Sequence, residues 1–516
     1  MPATPHVETS ADTAFFGHPK GLLVCFMTEM WERFSYYGMR ALLIFYLTQH
    51  FLFDDEKAYL IYGAYSALVY VTPVIGGALA DRYLGSRKAV VFGAILLVFG
   101  HLGMAIEGPA AVAASGGMQR DPFYLQIFYL SLAFIICGVG FLKANISTIV
   151  GALYSRDDPR RDSGFTLFYM GINIGAFASS LLCGWLGQTY GWQYGFGLAG
   201  IGMLLGLAIF LQGQQHLQGK ADPPASAQLS TPVFAGLNRE YIIYLGGFGA
   251  VLATWQLVQH QALVGQALGG FGGLMLLVIL AYAFRKCEPV ERQRLFVAAT
   301  LILFSVLFWS LFEQAGSSLN LFADRSVDRV LLGYELPASV FQSFNAFFIF
   351  LLAPLFSILW TRLAARGREP STPVKFALAL FQVGLGFLVL VFGARLASEG
   401  QGVGMIWLVL IYLLHTTGEL CLSPVGLSMI TKLSVPRIVG MMMGVWFLAS
   451  AGANFIASKI AQLTSGKTAE GEALDQASAL LKTLDVYSNV GWLAVTIAVF
   501  LLLISPLLRK GMHGVH

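Results

Sequence analysis

The segment TEMWERFSYYGMR, from Thr28 to Arg40, places acids and bases inside the first long apolar stretch of the chain. Because successive residues of an α-helix are rotated by about 100°, the polar members of this segment share one stripe of a helix. That stripe contains Glu29, Glu32, Arg33, Tyr36, Tyr37 and Arg40. Two carboxylates that lie one helical turn apart beside an arginine can serve as proton acceptors. Burial favours the protonated carboxyl, whereas the arginine favours the ionised one.

The elements that carry this stripe are transmembrane helices. The chain has 516 residues, of which 56% are hydrophobic and 12% charged, whereas about 25% of residues are charged in a soluble domain. Fourteen apolar segments are long enough to cross about 30 Å of hydrocarbon. They lie near 21–50, 58–80, 88–107, 123–152, 163–186, 193–213, 241–259, 263–284, 294–316, 338–363, 374–395, 404–430, 438–462 and 484–508. The composition therefore predicts an all-α, multi-pass membrane protein with fourteen transmembrane helices.

Basic residues indicate the orientation. If both termini are cytoplasmic, the inside segments hold 21 of the 32 Lys and Arg residues and the outside loops hold 8. Cytoplasmic loops of membrane proteins are enriched in Lys and Arg. We therefore predict that both termini face the cytoplasm.

Seven charged residues then lie within the membrane. The bases are Arg33, Arg40 and Lys143, and the acids are Glu29, Glu32, Glu313 and Glu419. Each costs about 2.5–3.5 kcal/mol to insert, so we expect all seven to face a polar interior. They could form a structural ion-pair network or a path for substrate and ions, and the two interpretations are compatible. Four acids against three bases leave one carboxylate without a fixed counter-charge.

The order of the segments indicates two halves. We predict an N-terminal six-helix bundle at 1–213, a cytoplasmic linker at 214–240, two extra helices at 241–284 and a C-terminal six-helix bundle at 285–516. Secondary transporters built from repeats have this arrangement, with a binding site between the halves. The first half supplies all three intramembrane bases together with Glu29 and Glu32, and the second half supplies Glu313 and Glu419. The extra pair has no charge within its spans and is expected not to handle substrate.

Several motifs carry a family resemblance. The loop GGALADRYLGSRK resembles the cytoplasmic signature of the major facilitator superfamily. The pattern ExxERFxYYG from Glu29 resembles the first-helix motif of the proton-dependent oligopeptide transporter (POT) family. Further matching segments are FLKANIS, FTLFYMGINIGA, FWSLFEQAGS, GELCLSPVGLS and MMGVWFLAS. The resemblance covers nearly the whole chain, including the two extra helices that bacterial members have.

The resemblance implies proton-driven import of di- and tripeptides by alternating access in a bacterial cytoplasmic membrane. By motif, the residues that couple transport to protons would be Glu29, Glu32, Arg33 and Glu313. Those that bind the peptide carboxylate would be Arg33, Tyr37 and Lys143. Those that bind the peptide amine would be Asn173, Asn345 and Glu419. Ion pairs Arg40 with Glu313 and Lys143 with Glu419 would close the outer side. Side-chain pockets would use Tyr36, Tyr70, Trp309, Trp446 and Ser450. Two departures stand out: Ala346 replaces the proline expected after Asn345, and Gly63 replaces the histidine of animal members.

The sequence disfavours three other functions. A transporter of another solute, such as nitrate, is the alternative, but Leu301–Gly316 contains no histidine to bind the anion and Glu419 would repel it. An integral membrane enzyme would need a nucleophile or metal cluster, and no HExxH, GxSxG or paired Cys/His set occurs. A channel would show a filter loop or charged rings. We expect no metal, no cofactor besides the coupling proton and no nucleic acid, and a monomer in contact with the lipid bilayer.

Overall fold

The computed structural model describes residues 13–114, 117–155, 157–224, 226–234, 236–397, 402–467 and 473–515. The N-terminal half contains α1 Lys20–Phe45, α2 Asp55–Leu79, α3 Gly85–Met104, α4 Pro122–Ala152, α5 Arg161–Tyr190 and α6 Trp192–Gly213. A short helix, α7 Ser226–Leu229, precedes the long pair α8 Arg239–Gln259 and α9 Gln261–Lys286. The C-terminal half contains α10 Pro289–Phe312, α11 Ser318–Ser326, α12 Ser343–Ala365, α13 Thr372–Leu396, α14 Met405–Leu433, α15 Val439–Leu463 and α16 Gln476–Gly511.

The loops carry only short strands and helical turns. The strands are β1 Thr13–Phe15, β2 His18–Pro19, β3 Val112–Ala114, β4 Gly117–Gln119, β5 Pro232–Phe234, β6 Leu237–Asn238, β7 Val327–Asp328, β8 Val330–Leu331, β9 Tyr334–Glu335 and β10 Val403–Gly404. They pair as five two-stranded sheets, four antiparallel hairpins and one parallel pair, β7 with β10. Single turns of 3₁₀-helix cover Gln214–Leu217, Glu313–Gly316, Ala338–Gln342 and Pro436–Ile438, and π-helical turns cover Tyr46–His50 and Ala80–Leu84. The segment predicted as a linker thus contains short regular elements.

Fourteen helices of 20 residues or more occur in the described ranges, one for each predicted segment. By length and hydropathy alone, twelve segments qualify as membrane spans. The two counts differ because α2 and α3 are joined into one segment, Asp55–Met104, and because polar residues lower the mean hydropathy of α1. The all-α, multi-pass prediction is confirmed, whereas the number of spans that cross the bilayer stays a prediction.

Helix α1 is held against α5 by glycine contacts. A Cβ atom at Gly175 would lie 2.2 Å from the carbonyl oxygen of Met30, and one at Gly38 would lie 2.7 Å from Cys183 Sγ. Small residues of this kind let helix backbones approach closely in membranes. The charged stripe of α1 is therefore fixed by backbone contact rather than by flexible side chains.

The two halves form separate bundles that meet through α2 with α15 and α5 with α12. The extra pair, α8 and α9, lies outside this interface. Helix α8 packs mainly on α4, and α9 packs mainly on α15. Both therefore flank the junction between the halves without entering it.

The polar contacts between the bundles are concentrated at one end. We call the end where α1 begins and α16 ends the terminal face, and the other end the opposite face. Among the described residues, hydrogen bonds and ion pairs between the halves lie at Arg40 or further towards the opposite face. They include Asp55 with Arg325 at 2.7 Å, Gln49 with Asp324 at 2.8 Å and Trp185 with Tyr334 at 2.8 Å. Among the described residues, polar contacts between the halves are thus absent from the part nearer the terminal face.

The predicted orientation can be tested by cysteine labelling. Ser226 lies beside the terminal face and Ala113 lies in a loop at the opposite face, and both are exposed. In a background without the five native cysteines, an impermeant maleimide should label Ala113→Cys in intact cells. Ser226→Cys should be labelled only after the cells are permeabilised. The reverse pattern would show that both termini are outside.

Candidate functional site

A polar cavity of about 240 Å³ lies between the two bundles. Its walls come from α1, α2 and α5 on one side and from α10, α12 and α14 on the other, together with the 3₁₀ turns before α11 and α12. Of the residues predicted for function, eight line it: Tyr37, Arg40, Tyr70, Asn173, Trp309, Glu313, Asn345 and Glu419. No residue of α8 or α9 lines this cavity, as expected for the extra pair.

The two acids of α1 hold the same arginine. Arg33 Nη2 donates to Glu32 Oε1 at 2.7 Å and its Nε also contacts Glu32, while Nε lies 3.1 Å from Glu29 Oε1. All three side chains are buried. Glu29 Oε2 has no hydrogen-bond partner among the described residues. The Arg33 guanidinium therefore contacts two carboxylates. When both carboxylates are ionised, the three side chains together carry a net charge of minus one.

Arg40 and Glu313 connect the two halves at the wall of the cavity. Their side chains form an ion pair, and Arg40 Nε donates to the Tyr62 hydroxyl at 2.6 Å. Glu313 begins the 3₁₀ turn that follows α10 after Phe312, at the end of the predicted span 294–316. This 3₁₀ turn directs the buried carboxylate of Glu313 towards α1. The pair itself agrees with the one that the motifs imply, while its gating role stays a prediction.

Asn345 binds Glu419 directly. Its Nδ2 donates to Glu419 Oε2 at 3.0 Å and to Thr416 Oγ1 at 3.1 Å. The absence of proline at Ala346 does not prevent this contact, because α12 begins at Ser343 after a 3₁₀ turn. Asn345 thus lies in the first turn of α12, and the change of helix type supplies the local bend.

Lys143 and Glu419 are not paired, contrary to the ion pair implied by the resemblance. The Lys143 ammonium lies 4.7 Å from the centroid of the Tyr70 ring, and Glu419 contacts Asn345 instead. The opposite face is closed without such a pair. Lys143 also lies well past the middle of α4, towards the terminal face. A Lys143–Glu419 pair at this depth would lie nearer the terminal face, and its role in closing either side stays a prediction.

The predicted side-chain pockets divide into two sets. Tyr70 and Trp309 line the cavity. Tyr36 is buried beside Arg33 and Tyr37, and Ser450 donates to the Trp446 carbonyl at 3.0 Å. These latter three residues do not line the cavity. Glu29, Glu32, Arg33 and Lys143 also lie outside its lining.

Gly63 has a packing role. A Cβ atom there would lie 2.3 Å from both side-chain atoms of Ser458 on α15. The backbone of α2 therefore approaches α15 at this point, across the junction between the halves. A histidine at this position would require the two helices to separate.

Several residues of the site were not predicted. Tyr62 and Thr416 bind Arg40 and Asn345, and Tyr169, Gln342 and Tyr412 line the cavity. Tyr62 and Tyr412 could have been noticed as hydroxyl-bearing aromatics within apolar segments. Tyr169 lies within the quoted motif FTLFYMGINIGA and could have been noticed in the same way, whereas Gln342 carries no signal in an isolated sequence that separates it from packing residues.

Two six-helix bundles around a polar cavity that is closed at one end define a membrane transporter of the alternating-access type. The model for the POT family matches residues 87–477. The peptide transporter YePEPT of Yersinia enterocolitica is 38% identical over 533 residues, which cover 98% of both chains. Dipeptide and tripeptide permease A of Erwinia pyrifoliae is 34% identical over 512 residues, which also cover 98% of both.

Solved structures agree with the sequence comparison. A crystal structure of a mutant of peptide transporter POT in complex with alafosfalin has a TM-score of 0.80 and 35% identity, and the match covers 97% of each chain. The chain belongs to the POT family, and its fold is that of the major facilitator superfamily, as the motifs predict.

The link between Arg40 and Glu313 can be measured by a double-mutant cycle. Arg40→Gln or Glu313→Gln alone leaves one buried charge unpaired, so each should lower the free energy of unfolding by about 3–5 kcal/mol. The double variant should lose less than the sum by at least about 1 kcal/mol. Denaturant titration in micelles provides the measurement.

The matched control is the exposed pair of Arg395 and Asp485, separated by 3.7 Å. Because solvent screens such pairs, Arg395→Gln and Asp485→Asn should each change the free energy of unfolding by less than about 1 kcal/mol. Strict additivity in the Arg40 and Glu313 cycle would show that the two residues do not stabilise each other.

Proposed function

We propose that this protein imports di- and tripeptides together with protons across a bacterial cytoplasmic membrane. Family membership supports the reaction class, and two relatives and one solved structure are named as peptide transporters or as a dipeptide and tripeptide permease. Both termini would be cytoplasmic, so the terminal face would be the inner one. The structure then corresponds to a state that is open to the cytoplasm.

The observation that carries the substrate proposal is an unmatched pair of charges. Glu419 lines the cavity, and no cation among the described residues forms an ion pair with it; its contact there is the Asn345 amide. Lys143, close to the cavity wall at Tyr70, likewise forms no ion pair within the described ranges. A buried charge needs a partner. A short zwitterion supplies both, its ammonium to Glu419 and its carboxylate to Lys143.

Size supports a short peptide. A chain of two or three residues spans at most about 7–11 Å. A longer peptide would obstruct the closure of the bundles at the terminal face. Asn173 and Tyr37 also line the cavity. Asn173 would add a hydrogen bond to the peptide amine, and Tyr37 would add one to the peptide carboxylate.

The acids of α1 would carry the proton. When Glu29 and Glu32 are both ionised they share Arg33, and one carboxylate oxygen of Glu29 has no partner among the described residues. Protonation of either acid brings the net charge of the three residues to zero. Arg33 would then be less tightly held and could attract the peptide carboxylate. Proton and peptide binding would thus favour each other.

Glu313 would couple the proton to the conformational change. Its ion pair with Arg40 lies at the innermost point of the closed end. Protonation of Glu313 would remove its charge and weaken the connection between α1 and the C-terminal bundle. Opening of the outer side would follow, while a Lys143–Glu419 pair would close the inner side.

We further propose that the protein acts as a monomer in the lipid bilayer, without a bound metal, organic cofactor or nucleic acid, and that it is not an enzyme. Groups of three or more potential metal ligands are not found in the part of the chain that the structure describes. Nitrate is disfavoured as the substrate, because the carboxylates of Glu313 and Glu419 line the cavity and would repel an anion. Arg40, which also lines the cavity, is already paired with Glu313.

Proton coupling can be separated from peptide binding in proteoliposomes. Glu32→Gln should abolish uptake driven by a proton gradient and retain peptide counterflow, because exchange requires no net proton movement. Asp485→Asn removes an exposed carboxylate and is the matched control, with uptake at the level of the unmodified protein. Gradient-driven accumulation by Glu32→Gln would exclude Glu32 from coupling.

Recognition of the peptide amine can be tested at Glu419. Charge-assisted hydrogen bonds contribute about 1.5–3 kcal/mol, and a factor of ten corresponds to about 1.4 kcal/mol. N-acetylated dialanine should therefore compete at least about tenfold more weakly than dialanine against the unmodified protein. In Glu419→Gln the two ligands should compete within about threefold of each other, because the partner of the ammonium is lost.

Dialanine amide provides the internal control for that variant. Its blocked end lies away from Glu419, so both proteins should discriminate against it equally. If Glu419→Gln still rejected N-acetylated dialanine as strongly as the unmodified protein does, the amine would bind elsewhere. If both capped ligands competed as strongly as dialanine against the unmodified protein, recognition of peptide termini would be contradicted.

A further inference from the structure

A buried histidine lies in the wall of the central cavity, next to the proposed amine site. His415 belongs to α14, one helical turn before Glu419, and both residues line the cavity. The His415 side chain is 2% exposed. Buried polar atoms in proteins generally have hydrogen-bond partners, so each of the two ring nitrogens is expected to have one.

One ring nitrogen is bound to a neighbouring helix. His415 Nε2 lies 3.2 Å from the carbonyl oxygen of Val383 on α13. Because a carbonyl oxygen only accepts hydrogen bonds, Nε2 carries a proton. In a neutral imidazole the other nitrogen is then an acceptor without a proton. His415 Nδ1 therefore presents a lone pair.

This lone pair faces away from α13. A Cβ atom at Gly386 would lie 2.7 Å from His415 Cδ2 and 3.0 Å from Nε2, so the edge formed by these two atoms packs on the backbone of α13. Nδ1 is the ring atom opposite that edge. None of the residues of α13, all of which the structure describes, lines the cavity, whereas His415 does. Nδ1 therefore points to the cavity side of the ring.

The ring is held in this orientation. The Phe387 ring of α13 packs edge-on against the imidazole, with 5.0 Å between the centroids, and the Phe312 ring of α10 lies 6.1 Å away. A half-turn of the imidazole would place Cε1, a carbon, at the Val383 carbonyl and would lose the hydrogen bond. Within the described part of the chain, no group donates a hydrogen bond to Nδ1.

The polar neighbours of His415 are already engaged. Thr416 Oγ1 donates to the Tyr412 carbonyl at 2.7 Å and accepts a hydrogen bond from Asn345 at 3.1 Å. Asn345 also donates to Glu419 Oε2. Among the described residues, Glu419 Oε1 and His415 Nδ1 thus remain as two acceptors without a donor on one face of α14.

The spacing of these two acceptors suits one ammonium group. Residues four apart on a helix have Cβ atoms about 5–6 Å apart. Each hydrogen bond joins heavy atoms about 2.9 Å apart, so one nitrogen atom between the two residues can reach both. An ammonium has three N–H donors and no lone pair, whereas an ionised carboxylate has no proton to offer. The pair of acceptors therefore favours an amine.

We propose that His415 is a specificity-determining residue that accepts a hydrogen bond from the peptide ammonium beside Glu419. The inference rests on the proposed transport of peptides and adds a second acceptor to the amine site. Glu419 selects the positive charge of the amine, and His415 selects the number of its N–H groups. A primary ammonium satisfies both residues. A tertiary ammonium has one N–H and leaves a buried acceptor without a partner, which is unfavourable.

The experiment measures competition against labelled dialanine in proteoliposomes that contain the full-length protein. N,N-dimethyl-dialanine keeps the positive charge and one N–H, whereas N-acetylated dialanine loses the charge. The unmodified protein should bind the dimethyl peptide at least about tenfold more weakly than dialanine, because a hydrogen bond to a charged group is lost. In His415→Gln this ratio should fall at least about threefold. Discrimination against N-acetylated dialanine, which depends on Glu419, should stay at about tenfold or more.

A second variant separates hydrogen bonding from packing. Glutamine places its amide near the position of Nε2 and can keep the bond to Val383, whereas asparagine places an amide oxygen near the position of Nδ1. His415→Asn should therefore keep the ratio within about twofold of the unmodified protein, because an acceptor remains. The matched control is His101→Gln, which should leave the ratio unchanged, since His101 on α3 is 1% exposed and does not line the cavity.

Three outcomes would overturn the proposal: equal loss of discrimination in the asparagine and glutamine variants, an unchanged ratio in His415→Gln, or competition by the dimethyl peptide as strong as by dialanine against the unmodified protein. If His415→Gln failed to fold, His415→Leu would remove the acceptor with an apolar side chain of similar size. Failure of the unmodified protein to reject N-acetylated dialanine would instead contradict the amine site at Glu419, so the two proposals can fail separately.

Discussion

The structure depends on how charges are satisfied inside an apolar environment. A charged group within a membrane must find a partner or face a polar space, because its insertion costs several kcal/mol. Arg40 meets this requirement fully, with Glu313 and the Tyr62 hydroxyl as partners. Arg33 is held by two carboxylates. These complete arrangements hold α1 in place and join the bundles at the opposite face.

In the proposed mechanism, function depends on the charges that are satisfied only in part. Glu419 has an amide as its partner, Lys143 lies against an aromatic ring, and one oxygen of Glu29 has no partner among the described residues. Each group would gain from a ligand: an ammonium, a carboxylate and a proton. The same energetic rule therefore stabilises one part of the interior and makes the other receptive to substrate.

Close backbone contacts give these groups a fixed frame. Glycines place α1 directly against α5, and Gly63 places α2 directly against α15. The helix break at Glu313 then turns a carboxylate across the interface. Where glycines meet no neighbour, as on α9, the same residue type leaves space instead. Glycine thus has opposite effects in the interior and at the lipid-facing surface, depending on what the opposing helix presents.

The sequence by itself determined the helical class, the two halves and the identity of the seven interior charges, because transfer from water to hydrocarbon depends on composition and segment length. Its motifs also identified the family and the residues Asn345 and Glu419. Only the tertiary structure decided which charges meet. It paired Arg40 with Glu313, separated Lys143 from Glu419, excluded Trp446 and Ser450 from the cavity lining and added Tyr62 and Thr416. The reason is physical: helix periodicity fixes which residues share a face, whereas partners on different helices depend on helix rotation, helix breaks and the separation of the bundles at one end.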